Sequence, residues 1–130
     1  MGLAEKRAME KAMKEWLPNR EKELAEICGG PVPYEVDWTS FDGDAKGIEW
    51  LEHNGPQQVS MAFRGIGTDD LGRQALREGV KKVVLRNTGK PEEKQLGFEG
   101  GVLTLRCAFA QSPGGRFTDR EIRTAIEAKL

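Results

Sequence analysis

His53 is the only histidine in the chain, which makes it the first residue to consider for catalytic chemistry. A Ser-His-Asp or Cys-His arrangement would have to use it, with Cys28 and Cys107 as the two thiols on offer. Its setting favours another role, because it falls near the end of a predicted short helix and is followed by the turn residues Asn54-Gly55-Pro56. We expect His53 to be a solvated residue at a helix end.

Metal binding is the next chemistry to consider. One histidine and two distant cysteines are too few for a structural zinc, which takes four ligands, or a catalytic zinc, which takes three. Asp42, Asp44 and Gly47 stand at the first, third and sixth positions of a calcium-loop pattern. Lys46 stands at the fifth position, however, and His53 at the twelfth, where a calcium loop requires oxygen ligands. The sequence therefore predicts no metal site and no cofactor.

Two glycine-rich segments could in principle bind phosphate groups. Gly65-Ile66-Gly67 has the start of a dinucleotide-binding turn, but Asp70 takes the place of the third glycine. Asp69 and Asp70 would also repel a pyrophosphate from a helix N-terminus. The segment from Ser112 to Arg116 lacks the lysine and the spacing of a phosphate-binding P-loop. We interpret the first segment as a capped helix start and the second as a flexible loop.

The aromatic residues suggest a contact surface instead. Trp38, Phe41 and Trp50 cluster around the same short predicted helix, and Trp50 falls outside its apolar stripe of Ala45, Ile48 and Leu51. An exposed Trp50 beside Trp38 would form an amphipathic surface of the kind enriched in protein interfaces. The alternative is that both rings close one end of the core.

The overall composition excludes several classes of protein. Lys and Arg total 20 against 21 Asp and Glu, so no global charge attracts nucleic acid or a membrane surface. There is no apolar run of about 20 residues for a membrane span and no apolar signal core at the N-terminus. Two cysteines are too few for a disulfide framework, so we expect buried, reduced thiols. These features predict a cytoplasmic protein.

The elements that position these residues follow from hydrophobic periodicity. Residues 1–30 form a predicted N-terminal helical segment, kinked or restarted at Pro18, and residues 31–130 form a body of sheet and helices. Together they make a single domain, 1–130. Three further helices are predicted near Ala45 to Leu51, Asp69 to Glu78 with Thr68 as N-cap, and Asp119 to Lys129 with a Thr118/Glu121 capping box and a Phe117/Ile122 staple.

Alternation of apolar and polar residues predicts five strands. They cover Val32 to Trp38, Gln57 to Arg64, Val80 to Asn87, a short strand bearing Leu96 and Phe98, and a last strand from Val102 to Phe109 after a Gly100-Gly101 hairpin turn. Pro33 marks the first as an edge strand.

We therefore predict an α+β fold with a mixed, mostly antiparallel sheet of four to five strands and with helices mainly on one face. The three C-terminal strands would form an antiparallel meander, and the run from Gln57 to Asn87 permits a parallel crossover. The alternative is a fully antiparallel sheet wrapped around the N-terminal helix.

No motif is specific enough to assign a family, and no residue is assigned to catalysis. We expect a non-catalytic protein-interaction or accessory domain that binds another protein or a second copy of itself, through the aromatic edge, the N-terminal helix or strand addition at Val32 to Trp38. The alternative is a small-molecule-binding protein or small enzyme with a pocket between sheet and helices, lined by Trp38, Phe63 and Phe98. The candidate partner-binding or ligand-binding residues are Trp38, Trp50, His53 and Arg64.

Overall fold

The N-terminal helical segment consists of two helices, and Pro18 lies in the first turn of the second. In the computed structural model, which describes all residues from 1 to 130, α1 (Leu3–Lys11) and α2 (Leu17–Cys28) are joined by a π-helical turn over Ala12–Trp16. Pro18 has no N–H to donate to the preceding turn, and the wider π-helical turn lies directly before it. Gly29 ends α2 in the left-handed conformation, at a φ of 74°. The expected restart at proline and stop at glycine both agree with the structure.

The rest of the chain alternates between short strands and helices. A 3₁₀ turn at Trp38–Phe41 follows the first strand, and another at Pro91–Glu93 precedes the third. The elements are β1 (Tyr34–Val36), α3 (Ala45–Asn54), α4 (Pro56–Ile66), α5 (Asp70–Gly79), β2 (Lys82–Asn87), β3 (Gln95–Glu99), β4 (Val102–Cys107) and α6 (Asp119–Glu127).

The segment predicted as a strand from Gln57 to Arg64 is a helix, α4, so that prediction is wrong. Pro56 occupies the first turn, where its missing N–H costs nothing and its fixed φ favours a helix. The buried positions Val59, Ala62, Phe63 and Ile66 follow helical spacing, whereas Met61 is 44% exposed. The positions of Val59 and Phe63 fit both the two-residue period of a strand and the 3.6-residue period of a helix. The burial of Ala62 and Ile66 fits only the helix.

The sheet has four strands in the order β1-β2-β4-β3. β1 pairs with β2 in parallel, β2 pairs with β4 in parallel, and only β3 and β4 are antiparallel. The expectation of a mixed sheet is confirmed, but the expectations of a mostly antiparallel sheet and of a C-terminal meander are wrong. β4 lies between β2 and β3, so these two strands are not neighbours.

Burial explains why β2 and β4 take the centre. Val83, Val84 and Leu85 form a continuous buried run in β2, a pattern typical of parallel strands inside a sheet. Leu103 and Leu105 of β4 are also fully buried. Gly100 and Gly101 both have positive φ, of 57° and 82°, which allows the tight turn that brings β4 back along β3.

Local capping determines where α5 and α6 begin. The α6 capping box forms as predicted, with Thr118 and Glu121 each bonded to the other's backbone N–H. At α5 the N-cap is Asp69, whose carboxylate accepts a bond of 2.7 Å from Gly72 N, and not the predicted Thr68. The Thr68 hydroxyl donates to the Gly65 carbonyl, in the last turn of α4.

The sheet has one apolar face and one face that no helix covers. Side chains alternating along the strands, such as Tyr34, Val83 and Leu103, join one core cluster with Leu24 and Phe63 of the helices. The opposite side, which we call the open face, keeps only Val84 buried. The open face consists of Glu35, Lys82, Val84, Arg86, Gln95, Gly97, Glu99, Val102, Thr104 and Arg106. None of the helices has the length and apolar character that a membrane span requires.

Candidate functional site

Trp50 and His53 lie together on the outside of α3. Trp50 is 45% exposed, and its ring meets the His53 ring edge-on at a centroid distance of 6.2 Å. His53 Nδ1 lies 3.1 Å from Gln57 Oε1, and the ring is exposed. Cys28 and Cys107 are both buried, and neither forms a hydrogen bond with His53.

Trp38 belongs to the edge of the core. Its ring packs against Phe41 at 6.1 Å, and Phe41 in turn stacks on Phe109 at 5.7 Å. Trp38 is half-buried and Phe41 fully buried, so this aromatic series extends from the surface into the interior. This geometry agrees with the interpretation of Trp38 as a ring that closes one end of the core.

Arg64 takes part in an ion-pair network that joins three helices. Its guanidinium lies 3.0 Å from the Glu23 carboxylate, and Arg20 bridges Glu23 and Glu52 at 3.1 and 3.0 Å. Partial burial raises the pKa of Glu23, but the hydrogen bonds that it accepts, among them those from Arg64 and Arg20, outweigh burial and lower the pKa. Arg64 thus has a carboxylate partner within the chain.

The four predicted residues do not line a common pocket. Phe63 and Phe98, expected to line a pocket between sheet and helices, are core residues with 0% and 5% exposure. None of the five main surface hollows is lined by Trp38, Trp50 or Phe63, and Phe98 lines only the hollow beside the Gly100-Gly101 turn. The residues that sequence reasoning selected are therefore spread over α3, α4 and the 3₁₀ turn.

The free edge of β1 is partly blocked. The N–H of Tyr34 donates a bond of 2.8 Å to the Glu21 carboxylate of α2. β1 is also only three residues long, which leaves few main-chain groups for a partner strand. Strand addition at β1 would have to displace Glu21.

The strongest unexplained feature is a pair of arginines on the open face. Arg86 of β2 and Arg106 of β4 are register partners on neighbouring parallel strands. Adjacent strands lie about 4.8 Å apart, so the two side chains leave the sheet next to each other. Arg86 is exposed and Arg106 half-buried, and neither makes an ion pair or a side-chain hydrogen bond.

The other charges of the open face all have partners. Lys82 pairs with Glu35 at 3.3 Å, and Glu99 pairs with Lys129. Asp37 follows β1 and comes level with Arg86, but its carboxylate accepts a bond of 2.8 Å from the Thr39 hydroxyl. Neither Arg86 nor Arg106 therefore has a carboxylate of the chain, Asp37 included, within ion-pair distance.

Register partners on neighbouring strands form rows across the sheet, and the row that contains Arg86 and Arg106 continues onto β3. Gln95 is the register partner of Arg106 and supplies an exposed amide. In the next row, Gly97 leaves the space above β3 empty, and Thr104 is half-buried beside it. Arg86, Arg106 and Gln95 together offer a line of hydrogen-bond donors across three strands.

Two further polar groups lie near the carboxyl ends of β2 and β4. Asn87 donates to the Ser40 carbonyl at 3.3 Å and to Asp44 Oδ2 at 2.9 Å, while its own Oδ1 is buried without a partner. Arg116 donates to Asn54 Oδ1 at 3.3 Å, and its Nε is likewise buried without a partner. Carboxyl ends of parallel strands are common ligand positions, yet no main hollow is lined by Asn87 or Arg116.

The thiols have little reactivity in this fold. Burial raises the pKa of Cys28 and of Cys107 to about 12, so both stay protonated at neutral pH. No three His, Cys, Asp or Glu side chains are grouped as metal ligands would be.

Sequence reasoning had one signal for the arginine pair. The alternation in each strand assigns Arg86 and Arg106 to the outward side, opposite the apolar positions. Their adjacency depends on the pairing of β2 with β4, which the sequence does not reveal.

Comparisons of the chain with protein-family models, with curated proteins and with solved structures found no match.

Proposed function

We propose that this chain is a non-catalytic protein-interaction or accessory domain whose contact surface is the open face of its sheet. The observation that carries the proposal is the register pair Arg86 and Arg106, unpaired on a face that no helix covers. Proteins generally cover or neutralise such a face, because an exposed sheet surface with uncompensated like charges lowers stability. A binding role accounts for its presence.

The chemistry of the open face suits binding better than catalysis. A guanidinium group offers five N–H donors in a fixed fork and no acceptor, so Arg86 and Arg106 suit the binding of an anion such as a carboxylate. A hollow that is open to solvent lies along β3 beside the arginine pair and is lined by Gln95, Gly97 and Thr104 together with Lys94, Leu96 and Phe117, as expected for contact with a surface or an extended chain. These properties support recognition of another protein.

The pair Trp50 and His53 provides a rival contact surface. Trp50 is among the most exposed large apolar side chains of the chain, and tryptophan is common at interface centres. It lies on α3, a helix, and not on the open face. An experiment that locates the contact must therefore sample both surfaces.

Site-specific photo-crosslinking in the organism that encodes the chain locates the contact. A photoreactive phenylalanine analogue replaces Thr104 on the open face, Trp50 on α3 or, as a control, exposed Lys22 on α2. We expect discrete higher-mass adducts from position 104, lost when Arg86→Gln and Arg106→Gln are added. Adducts from position 50 alone, or none from position 104, contradict the proposal.

The small-ligand alternative has one observation in its favour. Asn87 Oδ1 and Arg116 Nε are buried without partners at the carboxyl ends of the parallel strands. Thermal-shift screening against small carboxylates and phosphates tests it, comparing the parent chain with Arg116→Gln. A ligand that raises the melting temperature of the parent chain and not of the variant supports this alternative, and a panel without hits opposes it.

A further inference from the structure

We infer that the open face binds an extended acidic segment of a partner protein, whose carboxylates are held by Arg86 and Arg106. The inference rests on the proposed function and adds the chemistry of the partner. Charge complementarity carries it, because the two guanidinium groups are neighbours and have no carboxylate of their own.

The geometry fits two carboxylates in one segment. Arg86, Arg106 and Gln95 lie on three consecutive strands, β2, β4 and β3, so the row extends over about 10 Å. An extended chain repeats its same-side side chains at about 6.8 Å. A segment laid across the strands in a Glu-x-Glu pattern therefore brings both carboxylates within reach of the long arginine side chains, which bind carboxylates in a bidentate manner.

The remaining charges on the open face define where the segment lies. Glu35 lies one row and Glu99 two rows away from the arginine pair, and both already have lysine partners. An acidic segment shifted toward those rows would meet like charges. It is therefore confined to the row of Arg86, Arg106 and Gln95, at the end of the sheet where the parallel strands finish.

Nucleic acid fits this face less well than an acidic peptide. Affinity for a polyanion grows with the number of phosphates neutralised, and two arginines give a salt-dependence slope of only about −1.8. The chain has a net charge of −1, and the open face carries Glu35 and Glu99 as well as its cations. A short segment with two acidic side chains matches this small positive area.

The test is a titration followed by two-dimensional ¹H–¹⁵N NMR of the full chain at low ionic strength. The probes are an eight-residue alternating Glu-Thr peptide, a Lys-Thr peptide of equal length and a 20-nucleotide single-stranded DNA. We expect the Glu-Thr peptide alone to shift the amides of Arg86, Gln95 and Arg106 in a saturable manner. Added salt should weaken its binding.

Matched variants identify the groups responsible. Arg86→Gln with Arg106→Gln removes both guanidinium groups and should weaken peptide binding at least tenfold. Arg7→Gln with Arg120→Gln removes the same charge from two exposed arginines of α1 and α6 that have no side-chain partner, and should leave binding within about twofold. The double variant Arg86→Lys with Arg106→Lys keeps the positive charge but lacks the planar guanidinium that binds a carboxylate through two hydrogen bonds. It should bind the peptide with intermediate affinity. The spectra themselves show whether each variant is folded.

Three results would overturn the inference. These are the absence of any effect of the Glu-Thr peptide, peptide binding that the Arg86→Gln and Arg106→Gln pair leaves unchanged, and tighter binding of DNA than of the peptide at these amides. If the titration fails in one of these ways but crosslinks from position 104 still depend on the arginine pair, the proposed function stands. The crosslinks then report a partner that is not an acidic segment. Loss of both the crosslinks and the peptide binding removes the two together.

Discussion

The hydroxyl of Ser40 accepts a hydrogen bond of 2.9 Å from the backbone N–H of Asn87, at the point where β1 has already ended. Earlier in the ladder, Val83 N donates to Pro33 O and Asp37 N donates to Leu85 O, so odd-numbered residues of β2 face β1. Ser40 thus replaces the missing strand for the last residue of β2. The turn that carries Ser40 supports the strand that positions Arg86.

We predict that Ser40→Ala lowers the free energy of unfolding by about 1–3 kcal/mol, because it leaves the N–H of a buried residue without its partner. Chemical denaturation followed by circular dichroism measures the change. Thr39→Ala is the control, since the Thr39 hydroxyl bonds only to Asp37 at the surface, and it should cost less than about 0.5 kcal/mol. Equal effects of the two variants would show that Ser40 does not have this role.

A substitution of Gly72, in the first turn of α5, tests how closely α5 packs against the end of α4. Helix propensity alone predicts that Gly72→Ala stabilises the helix by about 1 kcal/mol. The structure predicts the opposite sign, because an added Cβ would overlap the carbonyl oxygen of Ile66 at the end of α4. We expect a loss of about 2 kcal/mol or more, measured by thermal and chemical denaturation.

Gly97→Ala is the matched control, since a Cβ at Gly97 on the open face meets nothing within 4 Å. It should leave stability unchanged or slightly raised, because alanine is less flexible than glycine in the unfolded chain. A stabilising Gly72→Ala would mean that α4 and α5 are farther apart than the structure shows.

Local sequence signals were sufficient for the elements that depend on nearest neighbours. The Thr118 and Glu121 capping box, the Gly100-Gly101 turn and the stop of α2 at Gly29 are each encoded within a few residues, and each occurs as predicted. The end of α3 at Asn54 agrees with the predicted stop at Asn54-Gly55-Pro56, although Pro56 begins α4 and does not belong to a turn.

Pairing between distant strands could not be predicted in the same way. Nothing in β2 or β3 specifies that β4, which comes later in the chain, will lie between them, because that order depends on which strands bury the most apolar surface together. The candidate site shares this limit. The outward direction of Arg86 and Arg106 follows from alternation, but their adjacency follows from the strand order.

The arginine pair should reduce the stability of the chain in the absence of a partner. We predict that Arg86→Gln raises the free energy of unfolding by about 0.2–1 kcal/mol at low ionic strength, since it removes repulsion from Arg106. The gain should shrink at high salt, where surface charges are screened. Urea denaturation at two salt concentrations measures both effects. The control Arg7→Gln changes the net charge equally at an exposed α1 position, and a similar gain there would attribute the effect to net charge alone.

Cys107 should make the chain less stable at alkaline pH. Burial raises its pKa to about 12, whereas the thiol of an unfolded chain has a pKa of about 8.5. The folded state therefore keeps a proton that the unfolded state loses, so the stabilising contribution is fully present below about pH 8.5 and is lost as pH rises toward 12. Between pH 8 and pH 10 we expect this thiol to cost about 2 kcal/mol of unfolding free energy. Cys107→Ala lacks the titrating group, so its stability should fall less over the same interval, measured by urea denaturation at each pH. Parallel curves for the parent chain and the variant would mean that the thiol ionises as readily in the folded state as in the unfolded chain.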